Sequence, residues 1–256
     1  MRHLSFLIAW IVYTSTFGAD FSGSSSSTGQ TVHFQAQEVM AFAKKVERAM
    51  AEKGARVAVL ARMGRPLSEM PPGMKFTHVA FAVYSEIQTS DGRKIPGYAI
   101  HNLYQVNDHP DRSQLVQDYP VDFFAGVAVL EAEILIPSEE LQTRLIQLIA
   151  SPKYKTLHEP RYSLIANPYT LGRQNCTEFT LDVINAAIYQ TTDAKELKQI
   201  AQKYFVAQPV EVNPFKVLLG AMFVPEISTV DQKGQPVTAT FERISDYVLK
   251  FDQDAE

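Results

Sequence analysis

A helix that is apolar on nearly every face is the feature that most constrains how this chain can fold. Residues 175–189 form one helical pattern whose large side chains project all around the axis. Other elements must surround such a helix, because none of its faces can be left in water. Asn175 is a favoured N-cap residue, and Glu178, three residues later, completes the pattern of a capping box. The sequence therefore predicts a central, buried helix here.

Two strands with clear alternation lie earlier in the chain. They cover residues 76–87 and 95–106, and the Asp91-Gly92 pair between them is a strong turn signal, so we expect an antiparallel hairpin. Because helical and strand patterns occur in separate runs, we expect the α+β class. Other patterns predict strands at 55–62, 125–136 and 236–241, and helices at 35–53, 138–151 and 193–205.

Composition excludes several functions. Of the 256 residues, 46% are hydrophobic and 20% are charged, which is typical of a globular chain. The net charge of -4 leaves no basic surplus for nucleic acid. A single Cys builds neither a disulfide framework nor a Cys-based zinc site, and the sequence lacks a phosphate loop and a dinucleotide fingerprint. We therefore expect no metal and no cofactor.

The N-terminus has the order of a secretory signal peptide. Arg2 precedes an apolar run that ends near Tyr13, and small or polar residues follow as far as Ala19. The run is shorter than the about 20 residues that cross a bilayer, so we expect no transmembrane anchor after cleavage. The alternative is a buried N-terminal helix. We assign 1–19 to the signal peptide, 20–30 to a Ser/Gly linker and 31–256 to one periplasmic or secreted domain.

The only cysteine, Cys176, falls at the first position of the buried helix. Free N–H groups and the helix dipole favour an anion there, so we expect the pKa of the thiol to fall below its usual value of about 8.5. A thiolate at a helix N-terminus is an activated nucleophile when a base lies nearby. The alternative is a buried, inert cysteine.

Two histidines lie inside the predicted hairpin. His78 and His101 are equidistant from a turn centred between residues 89 and 90, which would place them opposite one another on paired strands. We therefore predict a Cys–His–His site with Cys176 as nucleophile, His78 as base within hydrogen-bonding reach, and His101 orienting the imidazole. The alternative is two core histidines whose rings are satisfied by backbone groups.

Short motifs resemble a known superfamily. Residues 77–83 (THVAFAV) and 174–179 (QNCTEF) are similar to the circularly permuted branch of the NlpC/P60 papain-like superfamily, which includes lecithin:retinol acyltransferase-like and YiiX-like proteins. Residues 57–68 and 162–169 resemble more closely the bacterial family DUF2145. The resemblance implies a circularly permuted papain-like α+β fold with Cys176, His78 and His101 in the catalytic positions.

Other residues are weaker candidates for the site. The oxyanion of an acyl-transfer reaction could be bound by the Cys176 N–H and a polar side chain nearby. We expect Tyr98 and Tyr104 to serve packing. The candidates for oxyanion or substrate binding are Gln174, Asn175, Tyr162, Arg62 and Ser68.

Two functions remain open from the sequence. The first is an exported cysteine hydrolase or acyltransferase that acts on an amide, ester or thioester. The resemblance offers two substrate classes, cell-wall peptide (peptidoglycan) and a lipid acyl group. The second function is a non-catalytic envelope-binding or structural module that retains the fold.

Overall fold

A five-stranded antiparallel sheet forms the centre of the computed structural model, which describes residues 33–89, 91–210 and 227–256. The strand order is β4-β3-β2-β1-β5. A separate two-stranded pair joins β6 and β7. The strands are β1 (Val57–Met63), β2 (His78–Gln88), β3 (Lys94–Val106), β4 (His109–Asp118), β5 (Val129–Leu135), β6 (Gln208–Pro209) and β7 (Val237–Thr238).

Helices cover both faces of the sheet. α1 and α2 contribute to one apolar cluster with the inward side chains Leu60, Ala80 and Ile100, and α3 to α7 contribute to the cluster on the opposite face. A 3-10 turn, Leu67–Glu69, follows β1. The helices are α1 (Ala36–Glu52), α2 (Pro120–Phe124), α3 (Glu139–Ile149), α4 (Pro152–Thr156), α5 (Cys176–Tyr189), α6 (Ala194–Tyr204) and α7 (Phe241–Phe251).

The predicted central helix is confirmed as α5. All its residues from Cys176 to Ala187 are buried, and it packs against β2, β3 and the helices α3, α6 and α7. The α+β class is confirmed as well. The burial of α5 on all sides follows from its sequence, because a helix with apolar side chains in every direction is stable only when it is enclosed.

The sequence analysis predicted none of β4, β6, α2 and α4, and the predicted last strand is longer than the observed one. β4 was not expected, since residues 109–118 carry mostly polar side chains and include Pro110. This strand lies at the edge of the sheet, where a proline is tolerated and one face is wet. The predicted last strand, 236–241, is only the two-residue β7, and the chain then turns into α7 at its Thr240 cap.

The hairpin register differs from the predicted one. Gln88 pairs with Lys94 and Phe81 with His101, so the hairpin is centred on Asp91. His78 is therefore not opposite His101, and the predicted pairing of the two histidines is wrong. In this register the strand position facing His78 is that of Tyr104.

Two sequence assignments lie outside the described residues. The signal peptide 1–19 and the linker 20–30 are not described by the structure. In the ranges that are described, helices are too short or too polar to cross a bilayer.

Candidate active site

Asn175 fixes the start of α5. Its Oδ1 accepts hydrogen bonds from Glu178 N at 2.9 Å and from the Thr177 hydroxyl at 2.8 Å, and its Nδ2 donates to Leu164 O at 2.9 Å. The predicted N-cap is therefore confirmed, whereas the side chain of Glu178 does not complete a capping box because it bonds to Lys198. The cap sets Cys176 at the first position of the helix.

The thiol of Cys176 is surrounded by N–H groups. Those of Val79, Thr177 and Cys176 itself favour the thiolate, as does the charge of Arg62. Burial is the larger effect, since only 8% of the residue is exposed, and it raises the pKa of the thiol above its usual value. The predicted fall of this pKa is wrong, because a helix N-terminus offsets only part of the cost of burying a charge.

The sulfur lies where two neighbouring strands separate. Pairing between β2 and β3 extends only to Phe81–His101; beyond it, β2 continues beside β1 and β3 beside β4. The N–H of Tyr84 donates to Arg56 O on the β1 side. Successive N–H groups of a strand point to alternate sides, so the N–H of Val79 points toward β3. The Val79 N–H meets the Cys176 sulfur there. The thiol thus occupies the β2–β3 opening, defined as the gap beyond the Phe81–His101 pair.

His78 begins β2 beside this opening and takes part in a buried hydrogen-bond chain. Its Nε2 lies 3.0 Å from Asn102 Oδ1. Asn102 Nδ2 donates to Asp118 Oδ1 at 2.8 Å and to Ile100 O at 3.3 Å. The Tyr104 hydroxyl donates to Asp118 Oδ2 at 3.0 Å. The chain links β2, β3 and β4 side by side.

The chain of bonds also assigns the imidazole tautomer. Asn102 Nδ2 faces two acceptors, the Asp118 carboxylate and the Ile100 carbonyl, so Oδ1 of the same amide is turned toward His78. His78 Nε2 must then carry the hydrogen that Asn102 Oδ1 accepts. Nδ1 is left unprotonated and is the basic nitrogen of the ring.

The His78 ring is neutral near pH 7. Burial, with the charge of Arg62 adding to it, lowers the pKa of His78 to about 3, while the bond to Asn102 acts in the opposite direction. The Arg62 guanidinium carbon lies 5.2 Å from the centroid of the Phe123 ring. Both His78 and Cys176 lie within range of the Arg62 charge. The predicted hydrogen bond between thiol and imidazole does not form among the described residues. Cys176 belongs to the cluster on the α5 face of the sheet, whereas the His78 ring packs against Phe123 on the α2 face. The structure therefore holds a neutral thiol and a neutral imidazole.

His101 lies on the other face of the sheet. It alternates with Asn102 along β3, and its ring packs edge-on against Tyr154, with centroids 6.1 Å apart. Burial lowers the pKa of His101 to about 4. It cannot orient His78 from there, and the group that does so is Asn102. Asn102 was not predicted because the expected register placed it on the opposite face of the strand.

Tyr104 was also assigned wrongly. It was expected to face away from His78, but the two rings stack with centroids 4.8 Å apart and planes 10° from parallel. Together with its bond to Asp118, this makes Tyr104 part of the site rather than a packing residue.

The weaker candidates have various surroundings. Gln174 is engaged in the fold, since its Nε2 donates to Leu157 O and Asp182 Oδ2, both at 3.1 Å, and its Oε1 accepts from Glu159 N. Asn175 is engaged as the cap. Tyr162 is buried in the cluster that contains Cys176. Ser68 is exposed on the 3-10 turn, and Arg62 is the candidate whose charge acts on both Cys176 and His78.

A buried ion cluster supports the cysteine helix and was not predicted. Lys198 of α6 donates to Glu178 Oε1 at 2.5 Å and to both Asp182 oxygens at 2.8 and 2.9 Å. Burial raises the pKa of Glu178 well above its usual value. In the sequence, the only sign of this ion cluster was that Glu178 and Asp182 share one face of a helix, because Lys198 lies on a different helix.

A family model described as an uncharacterized protein conserved in bacteria, DUF2145, matches residues 49–248. No curated protein matches the chain. No solved structure matches it either. Because the family match spans most of the sequence, the chain belongs to the DUF2145 family.

Proposed function

We propose that this DUF2145 protein is an exported cysteine hydrolase or acyltransferase in which Cys176 is the nucleophile, His78 the base and Asn102 the group that orients the base. The observation that carries the proposal is that the Cys176 sulfur meets the N–H of Val79, the residue next to His78, at the end of the sheet where β2 and β3 stop pairing. The thiol and the imidazole also both lie within range of the Arg62 charge. A nucleophile, a base and an orienting group are the three parts that covalent acyl transfer requires.

The reaction begins with a proton transfer. His78 Nδ1 takes the thiol proton as the sulfur bonds to the carbonyl carbon of an amide, ester or thioester, and the carbonyl π electrons move to oxygen. The N–H groups of Cys176 and Thr177, which face the sulfur in the free protein, are suited to bind this oxyanion. Collapse expels the amine, alcohol or thiol, which takes the proton from His78 and leaves a thioester on Cys176. Water or an acceptor then gives a proton to His78, attacks the thioester and releases the thiol.

The neutral resting pair fits this order of events. Because burial raises the pKa of Cys176 and lowers that of His78, the proton stays on sulfur until a carbonyl is bound. The imidazole and the thiol are not hydrogen bonded in the free protein, so we propose that they approach one another when substrate enters the opening.

Intact-mass spectrometry of acylated protein tests the proposal. The protein is incubated with activated esters and thioesters of a short peptide and of a fatty acid. We expect an adduct of one acyl group that is absent from Cys176→Ala and strongly slowed in His78→Gln. His109→Gln changes an exposed histidine and is the matched control. Acylation that does not depend on His78, or folded protein that no donor acylates, would contradict the proposal.

The same experiment separates the two proposed substrate classes. Preference for the peptide donor supports a cell-wall peptide, and preference for the fatty acyl donor supports a lipid acyl substrate. We further propose a circularly permuted papain-like fold, supported by a histidine strand that precedes the cysteine helix in an antiparallel sheet. Periplasmic or secreted location is tested by N-terminal sequencing of the mature protein, where we expect a start near residue 20.

A non-catalytic envelope module is the second candidate function. One observation favours it: the thiol is buried and carries a pKa above its usual value, as expected of a structural cysteine. In that case Cys176→Ala would retain every binding property of the wild type, and no acyl adduct would form.

A further inference from the structure

The carboxylate of Asp118 has no direct contact with the imidazole, yet it is joined to it through one amide. Asn102 Nδ2 donates to Asp118 at 2.8 Å, and Asn102 Oδ1 lies 3.0 Å from His78 Nε2. Asp118 and Asn102 are 8% and 1% exposed, so solvent does not replace either bond. The orientation of the amide therefore couples the two titratable groups.

We propose that Asp118 is a positioning residue whose carboxylate holds the Asn102 amide with its oxygen toward His78 and thereby keeps Nδ1 of His78 as the basic nitrogen. This inference deepens the proposed function and rests on it for its catalytic meaning. Ile100 O supports the same amide orientation with a longer bond of 3.3 Å, so Asp118 is the stronger of two acceptors.

Protonation of Asp118 should reverse the orientation of the Asn102 amide. A neutral Asp118 has a hydrogen to donate, and turning the Asn102 amide over provides its oxygen as the acceptor. The amide then presents Nδ2 to His78, whose Nε2 must become the acceptor while Nδ1 carries the hydrogen. In that state the ring has no basic nitrogen at Nδ1. Loss of the proton from Asp118 restores it.

The groups around Asp118 place its protonation, and with it the turn of the Asn102 amide, near neutral pH. Burial raises the pKa of Asp118 to about 7, and the charge of Asp122 in α2 adds to the rise. Hydrogen bonds from Tyr104 and Asn102 on β3 and the charge of Arg62 on β1 oppose it. His78 titrates far below this range, so its tautomer can be followed without protonation of the ring.

Long-range proton–nitrogen NMR of the histidine ring measures the tautomer directly. In the wild type we expect the form with hydrogen on Nε2 to dominate at pH 9 and its ratio to the other tautomer to fall about tenfold as the pH drops through 7. Asp118→Asn should give the low-pH ratio at every pH. His78→Gln identifies the signals, and the exposed His109→Gln is the control.

Tyr104→Phe provides a second variant in case Asp118→Asn fails to fold. Removing the phenol takes one donor away from the carboxylate, so the midpoint of the tautomer change should move to higher pH. A tautomer ratio that stays constant from pH 5 to 9 in the wild type, or a midpoint unmoved in Tyr104→Phe, would overturn the inference.

The tautomer measurement needs no enzymatic turnover, so the proposed acyl-transfer function and the proposed role of Asp118 can fail separately. A protein that shows the tautomer change but forms no acyl adduct would retain Asp118 as the group that sets the ring and refute the acyl-transfer function. A protein that is acylated but has a constant tautomer ratio would refute the role of Asp118 alone.

Discussion

The rings of His78 and Tyr104 stack with their centroids 4.8 Å apart and their planes 10° from parallel. This contact brings the first residue of β2 against the part of β3 where the two strands no longer pair. The Tyr104 hydroxyl also bonds to Asp118, so one tyrosine supports both ends of the chain that runs from imidazole to carboxylate. The site is thus held by three adjacent strands.

Asn102→Leu should reduce the stability of this chain. The substitution leaves His78 Nε2 and one Asp118 oxygen buried without partners, so we expect the free energy of unfolding to fall by about 2–4 kcal/mol. Chemical denaturation measures the change, and Gln117→Leu on the exposed face of β4 is the control. A loss no larger than that of the control would mean that water satisfies both groups.

His101→Ala should lower stability without changing the reactivity of the thiol. Its ring contacts Tyr154 on the face away from Asn102, so we expect a loss of about 1–2 kcal/mol in the free energy of unfolding. The rate of Cys176 alkylation, measured on the same sample, should match that of the wild type. Slower alkylation at unchanged stability would return His101 to the site.

The Cys176 thiol should react slowly at neutral pH in the free protein. Because burial raises its pKa, we expect the alkylation rate to keep rising with pH above 9 rather than level off near neutrality. The same protein in denaturant is the control, and its rate should follow an ordinary thiol pKa of about 8.5. A plateau at acid or neutral pH would reveal a thiolate–imidazolium pair.

Lys198→Met should destabilise the protein strongly. It leaves Glu178 and Asp182 close together, buried and without their cation, and we expect a loss of about 3–5 kcal/mol. Lys195→Met, exposed on the same helix, is the matched control and should change little. Adding Glu178→Gln to Lys198→Met should recover part of the loss. No recovery would show that packing of the lysine chain, and not its charge, is what matters.

Asp118→Asn should stabilise the protein more at high pH than at low pH. The pKa of Asp118 is about 7 in the folded state against about 4 in the unfolded chain, so the folded state holds the proton more tightly. Wild-type stability therefore contains a contribution that is lost as the pH rises from 4 to 7, and the asparagine variant lacks this loss. We expect the difference between the two proteins to grow by about 2–3 kcal/mol from pH 5 to pH 8.

Urea denaturation at both pH values gives this difference. Asp122→Asn is a second variant: it removes a charge that raises the pKa of Asp118, so it should weaken the pH dependence without abolishing it. A difference that is independent of pH would show that Asp118 is already ionised throughout the range.

Local patterns predicted the helix that carries the candidate nucleophile. The cap at Asn175, the apolar residues on all sides of α5 and the position of Cys176 depend on neighbours within about one or two helical turns. The strands β2 and β3 were predicted for the same reason, since alternation is also local. β4 was missed because an edge strand with one wet face carries little apolar signal.

Tertiary structure decided how these elements meet. The hairpin is centred on Asp91 instead of between residues 89 and 90, and this odd change in register replaces His101 by Asn102 as the partner of His78. The pKa of Cys176 rises because residues far apart in the chain exclude water from it. Sequence alone determined where α5 begins and which residues lie on its faces and along β2 and β3, since those preferences are local. Register and desolvation depend on contacts between distant segments, so only the folded chain determined which groups form the site and which protons they hold.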